Sequence, residues 1–282
     1  MNKFSNIDVI KASGLVEEFK IEKLENSLRN SGASESDISE VVEDIEGILR
    51  PRISTREIYR EAYRFLRERH KNTAYNYSLR GAVIDLGPTG YPFEDLVAGV
   101  LRTIGYKTEV RLMMSGKCIS HEVDVYAYKE NSPEAFIVEA KFHNDQGTRS
   151  GLQDSLSAKA RFDDVSGGDH HNFSGYLPKQ MWLVTNTKFS HTALEYGKCA
   201  GLKMIGWNYP KVGNLQNLIE ENKLHPITAL NTLSNSQKQN ILKKGVVFCR
   251  DLKKNFGLFE EYGIHKTKQK DVYEELEKIT GI

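Results

Sequence analysis

The sequence has few cysteines, almost no net charge and no long apolar run. Its 282 residues include three cysteines that lie far apart and form no Cys-x-x-Cys pair. This pattern favours free thiols in a reducing, cytoplasmic compartment over a disulfide or zinc framework. No segment approaches the ~20 consecutive apolar residues of a membrane span, and residues 1–10 lack the layout of a signal peptide. The net charge of +1 neither favours nor excludes a nucleic-acid partner, so any basic surface must be local.

Turn-forming residues divide the chain into three predicted domains. Gly87-Pro-Thr-Gly90-Tyr-Pro92 is the clearest break, because glycine and proline in such density interrupt both helices and strands. We therefore predict an N-terminal domain over residues 1–88 and a central domain over 89–210. Residues 211–282 show no strand pattern, which predicts a helical C-terminal module.

Capping boxes mark where several helices begin. Ser34–Asp37 and Ser54–Glu57 place a serine three residues before an acid, followed in each case by an apolar stripe. We predict helices from both sites and a further N-terminal helix over Thr73–Ile84. Ser234–Gln237 is a similar box in the C-terminal module, and Gly245 stands where that helix would end.

The central domain alternates helical and strand patterns. A helix is predicted over Pro92–Tyr106, with Ile104 among its core-facing residues. Five strands are predicted after it: Thr108–Met113, Glu122–Tyr128, Ala135–Phe142, Met181–Thr185 and Lys203–Trp207. Two helices are predicted between them: Leu152–Phe162 before the fourth strand and His191–Ala200 before the fifth. This order predicts an α/β fold, a mixed sheet with helices on both faces.

Acidic and basic residues interrupt two of these strands. Glu139 and Lys141 are two residues apart and therefore lie on one face of their strand, and a turn at 129–133 brings Asp124 of the preceding strand alongside. Two carboxylates repel each other unless a positive charge lies between them. A divalent cation, Mg2+ or Mn2+, with Lys141 near the phosphate, would explain the set. An acid-x-lysine triplet alone usually marks a solvated strand end.

The pattern Asp124 … Glu139-Ala140-Lys141 resembles the PD-(D/E)xK nuclease superfamily, and its surroundings resemble the Mrr-like branch over about residues 90–208. The resemblance implies a restriction-endonuclease-like fold. It implies that Asp124 and Glu139 bind the metal, that Lys141 assists the attacking water, that Glu94 on the preceding helix supports the metal, and that Gln153 on the following helix orients water or substrate. One departure is Val123 before Asp124, where the motif has proline.

Neighbouring polar residues are weaker candidates. Glu122 is more simply a solvent-facing acid, and we assign no catalytic role to His121 or His143. Asp169, His170 and His171 lie in a glycine-rich loop over residues 166–176. They could form a metal cluster, but adjacent loop side chains rarely converge, so a mobile loop that faces DNA is favoured.

The N-terminal segments Val9–Leu28 and Thr73–Val83 resemble an ATP-cone, a regulatory nucleotide-binding domain. The resemblance implies that ATP or dATP binds as an effector, in contact with Val9, Lys11 and Lys23. A Walker A motif is absent, which argues against a P-loop ATPase. The family's Lys-Arg-x-Gly is replaced by Lys11-Ala-Ser-Gly14, without the arginine. The alternative is a degenerate cone that serves as a helical dimerisation or DNA-binding domain.

The C-terminal segment Ile227–Asn255 is similar to helix-hairpin-helix domains, whose turn amides can hold a DNA phosphate. It has only one glycine in the turn, so a plain helical packing module is the alternative.

Together these features predict a metal-dependent, type II/IV restriction-like deoxyribonuclease regulated by ATP or dATP. It would act on DNA in defence against foreign DNA or in DNA processing. Cutting both strands needs two active sites, which favours a homodimer. The alternative is a nucleotide-responsive DNA-binding regulator that has lost catalysis, although the intact acids and lysine argue against it.

Overall fold

The computed structural model describes residues 7–11, 14–132, 134–145, 147–169 and 176–281, apart from the side chains of Lys71 and Asn72. The chain divides into two compact units, residues 1–81 and residues 82–282. The three-domain division stays a prediction. Part of the turn Lys11–Gly14, together with His170 and His171, lies outside the described residues.

The first unit is a small sheet followed by helices. Strand β1 (Asp8–Ile10) pairs antiparallel with β2 (Val16–Glu18) and parallel with β3 (Ile53–Ser54). Its helices are α1 (Ile21–Asn30), α2 (Glu35–Ile48), α3 (Thr55–Arg69) and α4 (Lys71–Ile84), the last of which continues into the second unit. One apolar core joins these elements, with Leu28, Val41 and Leu66 fully buried.

Serine caps explain where α2 and α3 begin. The Ser34 side chain accepts a hydrogen bond from the Asp37 amide, and Asp37 accepts one from the Ser34 amide, so the predicted capping box is present. The Ser54 side chain accepts from the Glu57 amide. Because each cap satisfies an otherwise unpaired amide of the first turn, both helices start where the sequence predicted.

The second unit is built on a five-stranded mixed sheet. Its helices and strands are α5 (Tyr91–Thr103), β4 (Lys107–Ser115), β5 (Ser120–Tyr128), β6 (Ala135–Lys141), β7 (Arg149–Ser150), α6 (Leu152–Ser166), β8 (Met181–Thr185), β9 (Lys188–Phe189), α7 (His191–Cys199) and β10 (Lys203–Ile205). The strand order is β10-β8-β6-β5-β4. Strands β4, β5 and β6 pair antiparallel, whereas β6, β8 and β10 pair parallel. The mixed sheet is therefore confirmed.

Side-chain alternation along β6 assigns one face of the sheet to each helix layer. Ile137 belongs to a core that includes Ala158 of α6 and Ala193 of α7. Phe142, the residue after β6, contacts Phe93 of α5 with ring centroids 5.5 Å apart. Because neighbouring residues of a strand point to opposite faces, Glu139 and Lys141 share the α6 face.

One expectation for helix α5 was wrong: Ile104 lies beyond the end of α5 and is 37% exposed.

The rest of the second unit is helical. It contains α8 (Leu215–Glu221), α9 (Asn235–Lys243), α10 (Cys249–Lys254) and α11 (Lys266–Thr280), with short 3-10 turns at Ile227–Ala229 and Phe256–Leu258. The capping box of Ser234 and Gln237 is present. Gly245 has φ +79°, a conformation that glycine adopts without the strain of a side chain. Among the described residues, no helix is both long and apolar enough to cross a membrane.

Candidate active site

The two acids predicted to bind a metal, Asp124 and Glu139, lie where β5 and β6 separate. The ladder between these strands ends at the pair Val125–Val138. Beyond this pair, the Ala140 amide donates to Asp124 Oδ2 at 2.7 Å. The β6 backbone thereby holds the Asp124 carboxylate in place.

Lys141 is held by the first turn of α6. Its Nζ lies 3.3 Å from Asp154 Oδ1, while Asp154 Oδ2 accepts the amide of Gly151 at 2.9 Å. One carboxylate therefore caps α6 and binds the lysine. Since 42% of the Lys141 side chain is exposed, its ammonium remains accessible to an anionic ligand.

Arg161, two turns further along α6, lies between the two carboxylates. Its Nη1 donates to Glu139 Oε2 and lies 3.9 Å from Asp124 Oδ1. Asp154 and Arg161 are seven residues apart, so they lie about 10 Å apart on one face of the helix. Sequence analysis did not identify Arg161, although this spacing from Asp154 is visible in the sequence.

Burial and charge both act on Asp124. Burial, and then the nearby charge of Glu139, raise the pKa of Asp124 from 3.8 to about 6, against the opposing effects of the Ala140 amide and Arg161. The folded chain thus holds this carboxylate in a setting that disfavours its charge. Such a setting is typical of a functional site.

Glu94 is close to this pair but is bound elsewhere. Arg111 of β4 donates from Nη1 to Glu94 Oε2 at 3.0 Å and from Nη2 to Asp95 Oδ1 at 2.8 Å. Burial raises the pKa of Glu94, Arg111 opposes the rise, and the charge of Asp124 adds to it. Arg111 itself has φ +54°, which is uncommon for a side-chain-bearing residue. The predicted role of Glu94 as a metal-supporting acid stays a prediction.

The donor set fits a hydrated hard cation better than an all-protein cage. Among the described residues, no three His, Cys, Asp or Glu side chains are grouped to hold a metal. Mg2+ is commonly bound through one or two carboxylates and keeps several waters. Asp124 and Glu139 can supply those carboxylates, since both already interact with one positively charged nitrogen. Gln153 is exposed on the first turn of α6, next to Asp154, and its role stays a prediction.

The neighbouring histidines have structural partners. His121 Nε2 lies 2.8 Å from Asp164 Oδ2, and Asp164 also accepts the amide of Cys118 at 2.8 Å. These contacts attach α6 to the β4–β5 turn and lower the pKa of Asp164 to about 2. His143 Nε2 lies 3.0 Å from the hydroxyl of buried Ser150. Glu122 is exposed.

The first unit has a separate cavity at the predicted nucleotide site. Its volume is about 160 Å3, and Val9 and Lys23 are among its lining residues. Glu17 binds both predicted lysines: its carboxylate lies 2.6 Å from the Lys11 Nζ and 2.9 Å from the Lys23 Nζ. The structure therefore groups the predicted residues, but one carboxylate of the chain pairs with both ammonium groups and offsets part of their positive charge.

Comparison with known proteins identifies the class of the second unit. Residues 88–209 match the restriction endonuclease family, the Mrr catalytic domain, and residues 225–280 match the AF1548-like C-terminal family. Residues 88–209 thus form a restriction-endonuclease-like domain. The nuclease part of the predicted resemblance is confirmed, whereas neither match covers residues 1–87, where the ATP-cone was predicted.

Two relatives each match about two thirds of the chain. An uncharacterised protein of Archaeoglobus fulgidus is 34% identical over 186 residues, which span 66% of this chain and all of that protein. A crystal structure entitled protein of unknown function AF1548 superposes with a TM-score of 0.57 and 32% identity, covering 68% of this chain and 99% of the other. The chain belongs to the family of AF1548-like proteins with a restriction-endonuclease-like domain.

Proposed function

We propose that the protein is a metal-dependent DNA endonuclease that hydrolyses phosphodiester bonds at Asp124, Glu139 and Lys141. The observation that carries this proposal is the pair of carboxylates that flank a single cationic nitrogen, with Lys141 on the same strand face as Glu139. The match of residues 88–209 to restriction endonucleases supports it. DNA is the substrate that such a domain implies.

Each residue has a distinct proposed role. Asp124 and Glu139 would hold a divalent cation, Mg2+ or Mn2+. When bound, such a cation lowers the pKa of a coordinated water and neutralises phosphate charge. Lys141 would bind a non-bridging phosphate oxygen and stabilise charge that develops during attack, with Asp154 keeping its ammonium in place beforehand. Glu94 would restrain the cation's water shell, and Gln153 would orient water or substrate.

Plasmid cleavage tests the proposal directly. Supercoiled DNA is incubated with the protein and Mg2+, Mn2+ or EDTA, and nicked and linear products are quantified. We expect cleavage with either cation and none with EDTA. Linear product at early times would favour a homodimer with two active sites. Tight DNA binding without any cleavage would instead favour a DNA-binding regulator.

We further propose that the first unit binds ATP or dATP as an effector. The hairpin β1–β2 and the helices after it enclose the cavity that Val9 and Lys23 line. Tyr59 and Tyr77 also line it, and their rings stack with centroids 5.0 Å apart. At about 160 Å3 the cavity lies below the roughly 300–1,000 Å3 of common ligand sites, so a nucleotide must widen it. Calorimetric titration with ATP and dATP tests this; the absence of heat and of a thermal shift would contradict it.

A further inference from the structure

We infer that Arg161 competes with the divalent cation for Asp124 and Glu139, and thereby couples cation binding to DNA binding. The inference rests on the nuclease function proposed above. It concerns a residue of α6 that lies outside the Asp124, Glu139 and Lys141 set.

The first step is the geometry of the carboxylate pair. Arg161 Nη1 uses Glu139 Oε2 directly and faces Asp124 Oδ1 at 3.9 Å. A Mg2+ ion binds carboxylate oxygens at about 2.0–2.1 Å, so it would take the oxygens that the guanidinium now faces. Two positive groups at one position also repel each other. The cation and the Arg161 guanidinium therefore exclude each other from this position.

The second step is that the side chain, and not the helix, has to move. Ala158 and Val165 fix α6 in the sheet core, and the amide of Cys118 binds Asp164 on its last turns. The Arg161 side chain is 31% exposed, so it has room to turn towards solvent. Once released, its guanidinium remains on the helix face that carries Asp154, the partner of Lys141.

The third step concerns the phosphate group that the released side chain can bind. Arginine binds phosphate through two parallel hydrogen bonds, and the DNA backbone is the phosphate nearest to a nuclease site. Without DNA, Arg161 opposes the cation; with DNA, phosphate removes that opposition. By linkage, each ligand then raises the affinity for the other.

Calorimetry with Ca2+ tests this inference without any need for cleavage. Ca2+ is titrated into wild type and Arg161→Gln, each alone and each with a short phosphorothioate duplex that resists hydrolysis. We expect the wild type to bind Ca2+ more tightly with DNA than without. The R161Q protein should bind Ca2+ about tenfold more tightly than wild type without DNA, within the usual range of coupling between sites. DNA should then change its Ca2+ affinity little.

A matched control is Lys159→Gln, which removes one positive charge from the same helix at a residue paired with Asp163. It should keep the wild-type Ca2+ affinity and its dependence on DNA. Arg161→Lys keeps the charge with a more compact head group and should give an intermediate affinity. If Arg161→Gln folds poorly, the Ca2+ affinity of Arg161→Lys tests the inference in its place. The rise in melting temperature on adding Ca2+ should be larger for R161Q than for wild type.

The outcomes separate the inference from the proposed function. Equal Ca2+ affinities of wild type, R161Q and R161K, with equal DNA dependence, would overturn the inference while cation binding by the carboxylate pair still stands. If none of the proteins binds Ca2+ or Mn2+ and the wild type cleaves no DNA, the proposed nuclease function fails as well.

Discussion

The Ala140 amide donates to Asp124 Oδ2 across the point where β5 and β6 part, at 2.7 Å. This bond holds a half-buried carboxylate beside Glu139, a second acid that disfavours its charge. The chain therefore maintains a locally unfavourable charge at the place where we propose that a cation and DNA bind. Such a conflict between stability and charge is expected at functional sites.

Replacing Asp124 by asparagine should stabilise the fold near neutral pH. The pKa of Asp124 is raised from 3.8 to about 6 in the folded chain. Above pH 6 the folded chain carries the full cost of the ionised group. The cost shrinks as pH falls towards 3.8 and is absent below it. Asparagine removes this cost and can still accept the Ala140 amide. We expect a gain of about 1–3 kcal/mol at pH 7.5, which disappears near pH 4.

Urea unfolding of wild type and Asp124→Asn between pH 4 and 8 measures this difference. Asp271→Asn, on an exposed position of α11, controls for the loss of one negative charge. Equal stabilities of wild type and D124N at pH 7.5 would contradict the raised pKa. The same variant should not cleave DNA, so greater stability with lost activity separates a functional role from a structural one.

Replacing Lys141 by methionine should slow cleavage by about 10²–10³-fold without unfolding the protein. The Lys141 side chain is 42% exposed and contacts Asp154, so its removal leaves the core intact. Loss of one group that stabilises developing charge typically slows a reaction by about 10²–10³-fold. Lys198→Met on α7 is the control. Single-turnover cleavage rates and melting curves are compared; cleavage by K141M at the wild-type rate would exclude Lys141 from catalysis.

Much of the second unit could be predicted because its signals are local. The Ser234 capping box and the two-residue periodicity that places Glu139 beside Lys141 each depend on neighbouring residues. Arg161 was missed because its partner Glu139 lies 22 residues away, and only the packing of α6 on the sheet brings them together. The contact between Arg111 and Glu94 was missed for the same reason. Helix α11 was not delimited, although Val272, Leu276 and Ile279 repeat at helical spacing and are buried.

The C-terminal helices should depend on one buried acid. Glu275 of α11 accepts hydrogen bonds from the amides of Asn231 and Thr232 and from both of their side chains, at 2.7–3.0 Å. Glutamine at this position replaces one acceptor oxygen by an NH2 group, which cannot accept the hydrogen bonds that Asn231 and Thr232 donate. We therefore expect Glu275→Gln to destabilise the protein by about 1–3 kcal/mol. The adjacent exposed Glu274→Gln is the matched control, and both are measured by urea unfolding. Equal midpoints would show that this network contributes little.

Replacing Glu17 by glutamine should strengthen nucleotide binding to the first unit. Hydrogen bonds from Lys11 and then Lys23 lower the pKa of Glu17, so this carboxylate stays ionised at physiological pH. It pairs with both lysines and offsets one of their two positive charges. An anionic phosphate must compete with it for the same two ammonium groups. Glutamine has nearly the same shape without the charge, so it leaves Lys11 and Lys23 available to phosphate.

We expect Glu17→Gln to bind ATP or dATP up to about fivefold more tightly, since one exposed charge contact supplies at most about 1 kcal/mol. We expect Lys23→Gln to bind more weakly than wild type. Calorimetric titration of the three full-length proteins measures both effects, with Glu18→Gln as the neighbouring control. If E17Q and K23Q bind nucleotide as the wild type does, phosphate is not held by this pair of lysines. If none of the proteins binds ATP or dATP, the first unit is not a nucleotide effector domain, and a helical dimerisation or DNA-binding role becomes the better hypothesis.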